Sequence, residues 1–161
     1  MVLKQLAIIP CGAKKAWDTE PALGPLPVKH VYQSTFHQLC RAYAETFADQ
    51  WAVLSGKHGF MYPQELIDTN YDVTFGKGQQ DEVTRAFCMQ QWQEKQMSEY
   101  DQYVVLLGKK YDTVVTRILP MERTVFPLRE YRGMGYMQQA LKQAVASHRP
   151  LPLHAREEES W

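Results

Sequence analysis

The sequence predicts an α/β fold, a three-layer Rossmann-like sandwich with a central, mostly parallel four-stranded sheet covered by helices. Three observations predict it. Short aliphatic runs alternate along the chain with stretches of helical periodicity. The runs AVL and VVLL are apolar at consecutive positions, as in strands buried on both faces. Glycine and lysine follow the strand-like runs, marking where strands stop and loops begin.

The elements follow in order. Residues 2–10, VLKQLAIIP, read as a strand halted by Pro10 and Gly12. Residues 13–29 carry Pro21, Pro25 and Pro27 and form an extended excursion. Between residues 34 and 49, Phe36, Leu39, Cys40, Tyr43 and Phe47 recur at three- and four-residue spacing, which predicts a helix capped by Ser34 or Thr35. WAVLS at 51–55 is the second strand, GKHGF its loop, and residues 60–78 an irregular region. A helix over 80–97 places Val83, Phe87 and Trp92 toward the core. DQYVVLL at 101–107 is the third strand, 111–119 a short helix and 123–127 the fourth strand. The last helix, 135–147, gathers Met137, Ala140, Leu141, Ala144 and Val145 on one face. Residues 1–147 make one domain, and 148–161, with Glu157, Glu158, Glu159 and Trp161, a loosely held tail.

Composition excludes several classes. The 161 residues hold 18 Lys+Arg against 18 Asp+Glu, so the chain is no indiscriminate nucleic-acid coat, whose affinity comes from neutralised phosphates. No apolar run approaches the roughly 20 residues of a membrane span. The N-terminus MVLKQLAIIPCG lacks the features of a signal peptide. Cys11, Cys40 and Cys88 have no metal-ligand spacing, and their odd number fits a reducing cytoplasm. No metal, cofactor or membrane partner is expected, and the sequence is compatible with a homo-oligomer.

Function is expected at the carboxyl ends of the strands, where open parallel sheets bind ligands. The segments there are PCGAKK, SGKHGF, LGKKY and PLREYRG. They bring Lys14, Lys15, Lys57, His58, Lys109, Lys110, Arg129 and Arg132 to one edge, against the single acid Glu130. Glycines at 12, 56, 59, 108, 133 and 135 let backbone amides approach an anion. The expectation is a phosphate-bearing ligand, held without a G-x-x-x-x-G-K-[ST] loop and therefore without triphosphate hydrolysis. Arg132 and Gly133 open the last helix, whose N-terminus adds an anion preference.

The reactive groups are few. Cys11 follows the first strand beside two lysines and reads either as a nucleophile or as a small turn residue. His58 suits acid–base work near neutral pH or a phosphate contact. Asp72 and, less strongly, Asp68 are the carboxylates nearest the basic edge, fit either to orient a water at a glycosidic bond or to form turns. Tyr32, Tyr71, Tyr111 and Tyr136 flank the same loops and are candidates to stack on a base. Cys40 and Cys88 fall on helix faces as core residues.

The order PCGAKK, VYQSTFHQLCRAYAE, WAVLSGKHGF, YDVTFGK, VVLLGKKY and YRGMGYM resembles a group of small bacterial and bacteriophage proteins. That group is similar to the YaaA-like superfamily and to the uracil-DNA-glycosylase-like domain of archaeosine synthase, over about residues 5–145. The resemblance implies a uracil-DNA-glycosylase-like architecture and a link to nucleic acids or modified bases. Deazaguanine, DNA-modification or N-glycosidic chemistry would follow, in a glycosidase- or glycosyltransferase-type enzyme acting on a nucleobase or nucleoside. Carried over by motif are Cys11, Lys14, Ser55, Lys57, His58, Gly59, Asp72, Gly108 and Gly133. A water-activating Asp loop after the first strand is missing, so uracil excision itself is not implied. A nucleotide, nucleoside or nucleic acid is the expected partner, with enzyme, non-catalytic binding module and phage or host accessory protein as the readings to separate.

Overall fold

The computed structural model describes residues 2–152. Along the chain come β1 (Gln5–Pro10), β2 (Leu26–Pro27), α1 (Thr35–Phe47), β3 (Gln50–Ser55), β4 (Gly59–Met61) and β5 (Leu66–Ile67). They are followed by α2 (Arg85–Glu94), β6 (Gln102–Val105), α3 (Asp112–Ile118), β7 (Thr124–Val125) and α4 (Met134–Ser147). The fold is mixed α/β, with a five-stranded sheet in the order β4-β3-β1-β6-β7. β1 runs parallel to both neighbours, with Ile8 opposite Ala52 on one side and Val105 on the other. β6 and β7 are parallel as well, and β3–β4 is the one antiparallel pair of this sheet.

Residue alternation along each strand divides the core. Ala7 and Ile9 of β1, Val53 of β3 and Val104 of β6 pack with Cys40, Tyr43 and Ala44 of α1 and with Ala140, Leu141 and Ala144 of α4. Leu6, Ile8, Ala52, Leu54, Tyr103 and Val105 point the other way, onto Cys88 and Trp92 of α2 and Val114 and Val115 of α3. Because both faces are covered, the strands read as unbroken apolar runs. Burying each Leu or Ile contributes about 1.5–3 kcal/mol, so the central strands carry much of the stability.

Three expectations change. The sheet has five strands rather than four, because GKHGF closes a β3–β4 hairpin instead of an open loop. Gly59, at φ +70, makes that turn, and a three-residue strand begun by glycine shows too little pattern to be read from sequence. The irregular stretch after it contains β5, which pairs with β2 in a small antiparallel sheet. The second helix starts at Arg85, where the Thr84 side chain accepts from Phe87 N at 3.1 Å, and Phe87 is 46% exposed rather than core. Ser34 caps α1 as expected, accepting from His37 N at 3.3 Å. Beyond α4, Leu151 is buried and donates its backbone N–H to Tyr43 Oη at 3.0 Å. Glu157–Glu159 and Trp161 lie outside the described residues.

Gly56 lets the segment after the hairpin cross the end of β3. A Cβ there would lie 2.7 Å from Val73 O and 2.8 Å from Phe75 N, and main chain cannot yield as a side chain can. Phe75 in turn stacks on Tyr111 with centroids 4.7 Å apart. Gly56→Ala is therefore expected to lower stability by about 1–3 kcal/mol in urea unfolding. Wild-type stability in that variant would contradict the close approach.

Candidate functional site

The chain leaves β1 for β3 on one side and reaches β6 on the other, so the crossovers change direction between the carboxyl ends of β1 and β6. At such a point the loops part and leave a crevice. A cleft of about 490 Å³ opens here. Phe36 from α1, Leu106 after β6, Leu128, and Met134 and Met137 of α4 give it apolar walls. Cys11, Gly108, Lys109, Lys110 and Tyr111 supply its polar groups.

Cys11 Sγ lies 3.8 Å from Tyr111 Oη, and Lys110 Nζ rests 5.2 Å from the centre of the Tyr111 ring. Burial, followed by the nearby Cys11, pushes the Tyr111 phenol far up, so it stays a proton donor at neutral pH. Arg129, expected to face ligand, instead clamps the loops. Its Nη2 donates to Leu107 O at 3.1 Å and to Asp112 Oδ1 at 2.8 Å, which leaves Lys109 and Lys110 as the cleft's exposed cations.

Beside the cleft, under the hairpin, lies a polar cluster. Ser55 Oγ accepts from the backbone N–H groups of Lys57 at 3.2 Å and His58 at 3.1 Å, and pairs with Tyr71 Oη at 2.9 Å. Tyr71 Oη is also bonded to Tyr32 Oη. Burial pushes the Tyr71 phenol up to about 12 and Tyr32 well above its usual range, so both are donors rather than bases. The His58 ring meets Tyr71 edge-on at 4.9 Å, and its buried Nε2 has no hydrogen-bond partner. Burial and then Lys57 lower the His58 pKa against the opposing pull of Asp68, so the ring is neutral at pH 7.

The residues singled out from sequence thus fall into separate places. Cys11, Gly108 and Lys109 come together in the cleft. Ser55 and His58 belong to the hairpin cluster, and exposed Lys57 leads its turn. Gly59 serves the hairpin itself, its Cα facing the Gln91 amide, where an added Cβ would lie 2.1 Å from Oε1. Gly12 packs near the Ser34 side chain, and Lys14 is exposed. Lys15 is buried, its Nζ donating to Ala13 O at 3.1 Å over the Tyr71 ring. Asp72 lines a hollow with Asp18 and Asn70. Arg132 is exposed, Gly133 forms the N-cap of α4 at φ +100, and Tyr136 lines a different groove. The expected stacking tyrosines 32, 71 and 111 are 1%, 8% and 3% exposed and act through their hydroxyls instead. Sequence reasoning missed Phe36, Leu128, Met134 and Met137, whose helical or post-strand positions look like ordinary core. Among the described residues, no three His, Cys, Asp or Glu side chains gather to hold a metal ion.

Fold and site define an α/β protein with an apolar cleft at the switch point of a mostly parallel sheet. A family model described as a family of unknown function, DUF6884, matches residues 6–143, and the chain belongs to that family. It is 46% identical over 144 residues to "Uncharacterized protein YfjM" of Bacillus subtilis (strain 168), covering 89% of this chain and 96% of the relative. Neither match names the YaaA-like or uracil-DNA-glycosylase-like groups that the motifs resemble. No solved structure matches significantly. Among the described residues, no helix is long and apolar enough to cross a membrane.

One titration is built into the frame of the site. His37 is 1% exposed, its Nδ1 donates to Pro10 O at 2.8 Å, and its Nε2 is buried without a partner. Burial lowers its pKa from 6.5 to about 4, against the opposing Pro10 hydrogen bond. Between those values the unfolded chain binds a proton that the native state excludes. The native state is therefore favoured fully above 6.5 and loses stability as pH falls toward 4. The loss from His37 is expected to reach about 3 kcal/mol, and His58 adds to it with the same sign. Urea unfolding at neutral pH and near pH 4 measures it. His37→Leu, whatever its absolute stability, should flatten the slope, and an unchanged slope would rule His37 out.

Proposed function

We propose that this protein binds a nucleotide, nucleoside or nucleic-acid base in the switch-point cleft and processes it there. The observation that carries the reading is one cleft combining apolar walls with two exposed lysines and a thiol–phenol pair. A base is a flat, largely apolar body, and Phe36, Leu128, Met134 and Met137 offer it a dry surface. A phosphate beside it would meet Lys109 and Lys110. It would also meet the first turn of α4, which borders the cleft through Met134 and Met137 and favours anions. Cys11 is the nucleophile candidate and Tyr111 the proton donor next to it. The motif resemblance to YaaA-like and uracil-DNA-glycosylase-like proteins supports base chemistry, including N-glycosidic or modified-base reactions. A mostly parallel sheet with helices on both faces is compatible with that resemblance.

A second reading is a non-catalytic binding module. It is favoured by one observation: Asp72 and His58, the expected acid–base groups, do not line the cleft. The two readings share the ligand and differ in turnover.

A panel of nucleosides and nucleotides, scored by calorimetry and by mass spectrometry of products, tests both. Lys109→Ala with Lys110→Ala should weaken nucleotides by about a hundredfold or more and leave nucleosides nearly unaffected, since each of the two charged hydrogen bonds contributes about 1.5–3 kcal/mol. Cys11→Ser should keep binding and abolish turnover. If wild type binds no member of the panel, both readings fail; if it binds without turnover, the module reading stands.

A further inference from the structure

A buried cation that belongs to no ion pair among the described residues lies beside the cleft. Lys15 is 4% exposed, and its ammonium has one hydrogen bond, to Ala13 O at 3.1 Å, and one ring face, Tyr71 at 4.4 Å. The ion pairs among the described residues are Arg41–Glu45, Lys95–Glu65 and Arg129–Asp112, and Lys15 belongs to none. The nearby Asp18 feels its charge, but uses its carboxylate to accept Lys15 N–H at 2.8 Å and the Asn70 amide at 3.0 Å. Burying an ammonium costs far more than one carbonyl and one ring face return. An attraction for negative charge is left over.

The two groups that the ammonium touches, Ala13 and Tyr71, both line a hollow of about 420 Å³ whose other walls are Asp18, Asn70 and Asp72. Positive charge sits behind this hollow and two carboxylates border it. A phosphate dianion would be repelled by those carboxylates. A single carboxylate reaching Lys15 leaves Asp72 free to accept a hydrogen bond from a donor on its next carbon. The Asp72 carboxylate is exposed and accepts no hydrogen bond from the described residues; only its backbone oxygen does, from Gln79.

We propose that this hollow is a second site, separate from the cleft, for a small carboxylic acid bearing an adjacent hydroxyl or ammonium group. The carboxylate pairs with Lys15, whose flexible stem turns its head from Ala13 O into the hollow, and the adjacent donor bonds to Asp72. This inference does not depend on what the cleft binds.

Amide-shift titrations of the full chain with glycine, glycolate, acetate and inorganic phosphate at millimolar concentrations test it. Glycine and glycolate should shift the amides of Ala13, Asn70, Tyr71 and Asp72 saturably, acetate about tenfold more weakly, and phosphate not at all. Lys15→Met should weaken glycine at least tenfold and Lys15→Arg should retain it. Asp72→Asn should erase the advantage of glycine over acetate, and it carries the test alone if Lys15→Met does not fold. The Lys109→Ala, Lys110→Ala variant should bind glycine as wild type does, which separates this site from the cleft. Absence of glycine and glycolate shifts in wild type, phosphate binding as tight as glycine, or undiminished binding in folded Lys15→Met would each overturn the proposal.

Discussion

The position of β1 is the constraint from which the site follows. It is the first strand of the sheet and lies between two parallel neighbours, β3 on one side and β6 on the other, so the chain must pass across it to go from β4 to β6. Leu6, Ala7, Ile8 and Ile9 are wholly buried, which leaves the strand no freedom to slip or tilt. Its end is then tied down piece by piece. His37 holds Pro10 O, the Ser34 side chain crowds Gly12, and a bridge joins Lys15 to Tyr32. Cys11 sits in the middle of these restraints, so its thiol is placed by backbone held on both sides rather than by its own contacts.

Two different environments meet at that thiol. On the β6 side lies a cleft with aliphatic and thioether walls. On the β3 side lies a hydroxyl cluster built on Ser55, Tyr71 and Tyr32 and closed over by the hairpin. Burial raises all three nearby phenols, Tyr32, Tyr71 and Tyr111, so each of them meets the surroundings of Cys11 as a proton donor rather than a base. Such surroundings suit an electron-rich atom. His58, lowered by burial and by Lys57, adds a neutral ring and no positive charge.

Much of the frame was legible in the sequence because burial on both faces leaves an unmistakable trace. LAII, WAVL and YVVLL could only be strands, and the glycine–lysine segments after them located the strand ends, including Cys11, Gly108 and Lys109. What was not legible depends on contacts between distant segments. Lys15 and Lys14 look alike in sequence, yet one is buried because Tyr71 arrives over it from far along the chain. Arg129 reads as a free cation until Asp112 and Leu107 O are seen to hold it. Phe36, Met134 and Met137 carry the same periodicity as core residues, and only the place where the helices end turns them into cleft walls. The β3–β4 hairpin escaped because its turn resembles a ligand loop, with glycine, lysine and histidine all present.

The most direct test of the cleft as the ligand site is to map a bound nucleotide onto the full chain. A titration of labelled protein with nucleoside monophosphates, followed by a co-crystal structure, locates the ligand without relying on any variant. The expected result is saturable shifts confined to Cys11, residues 108–111 and the first turn of α4, with the base against Phe36 and Met137. Shifts spread over exposed lysines and fading with salt, or a ligand seated away from the β1–β6 crevice, would contradict it.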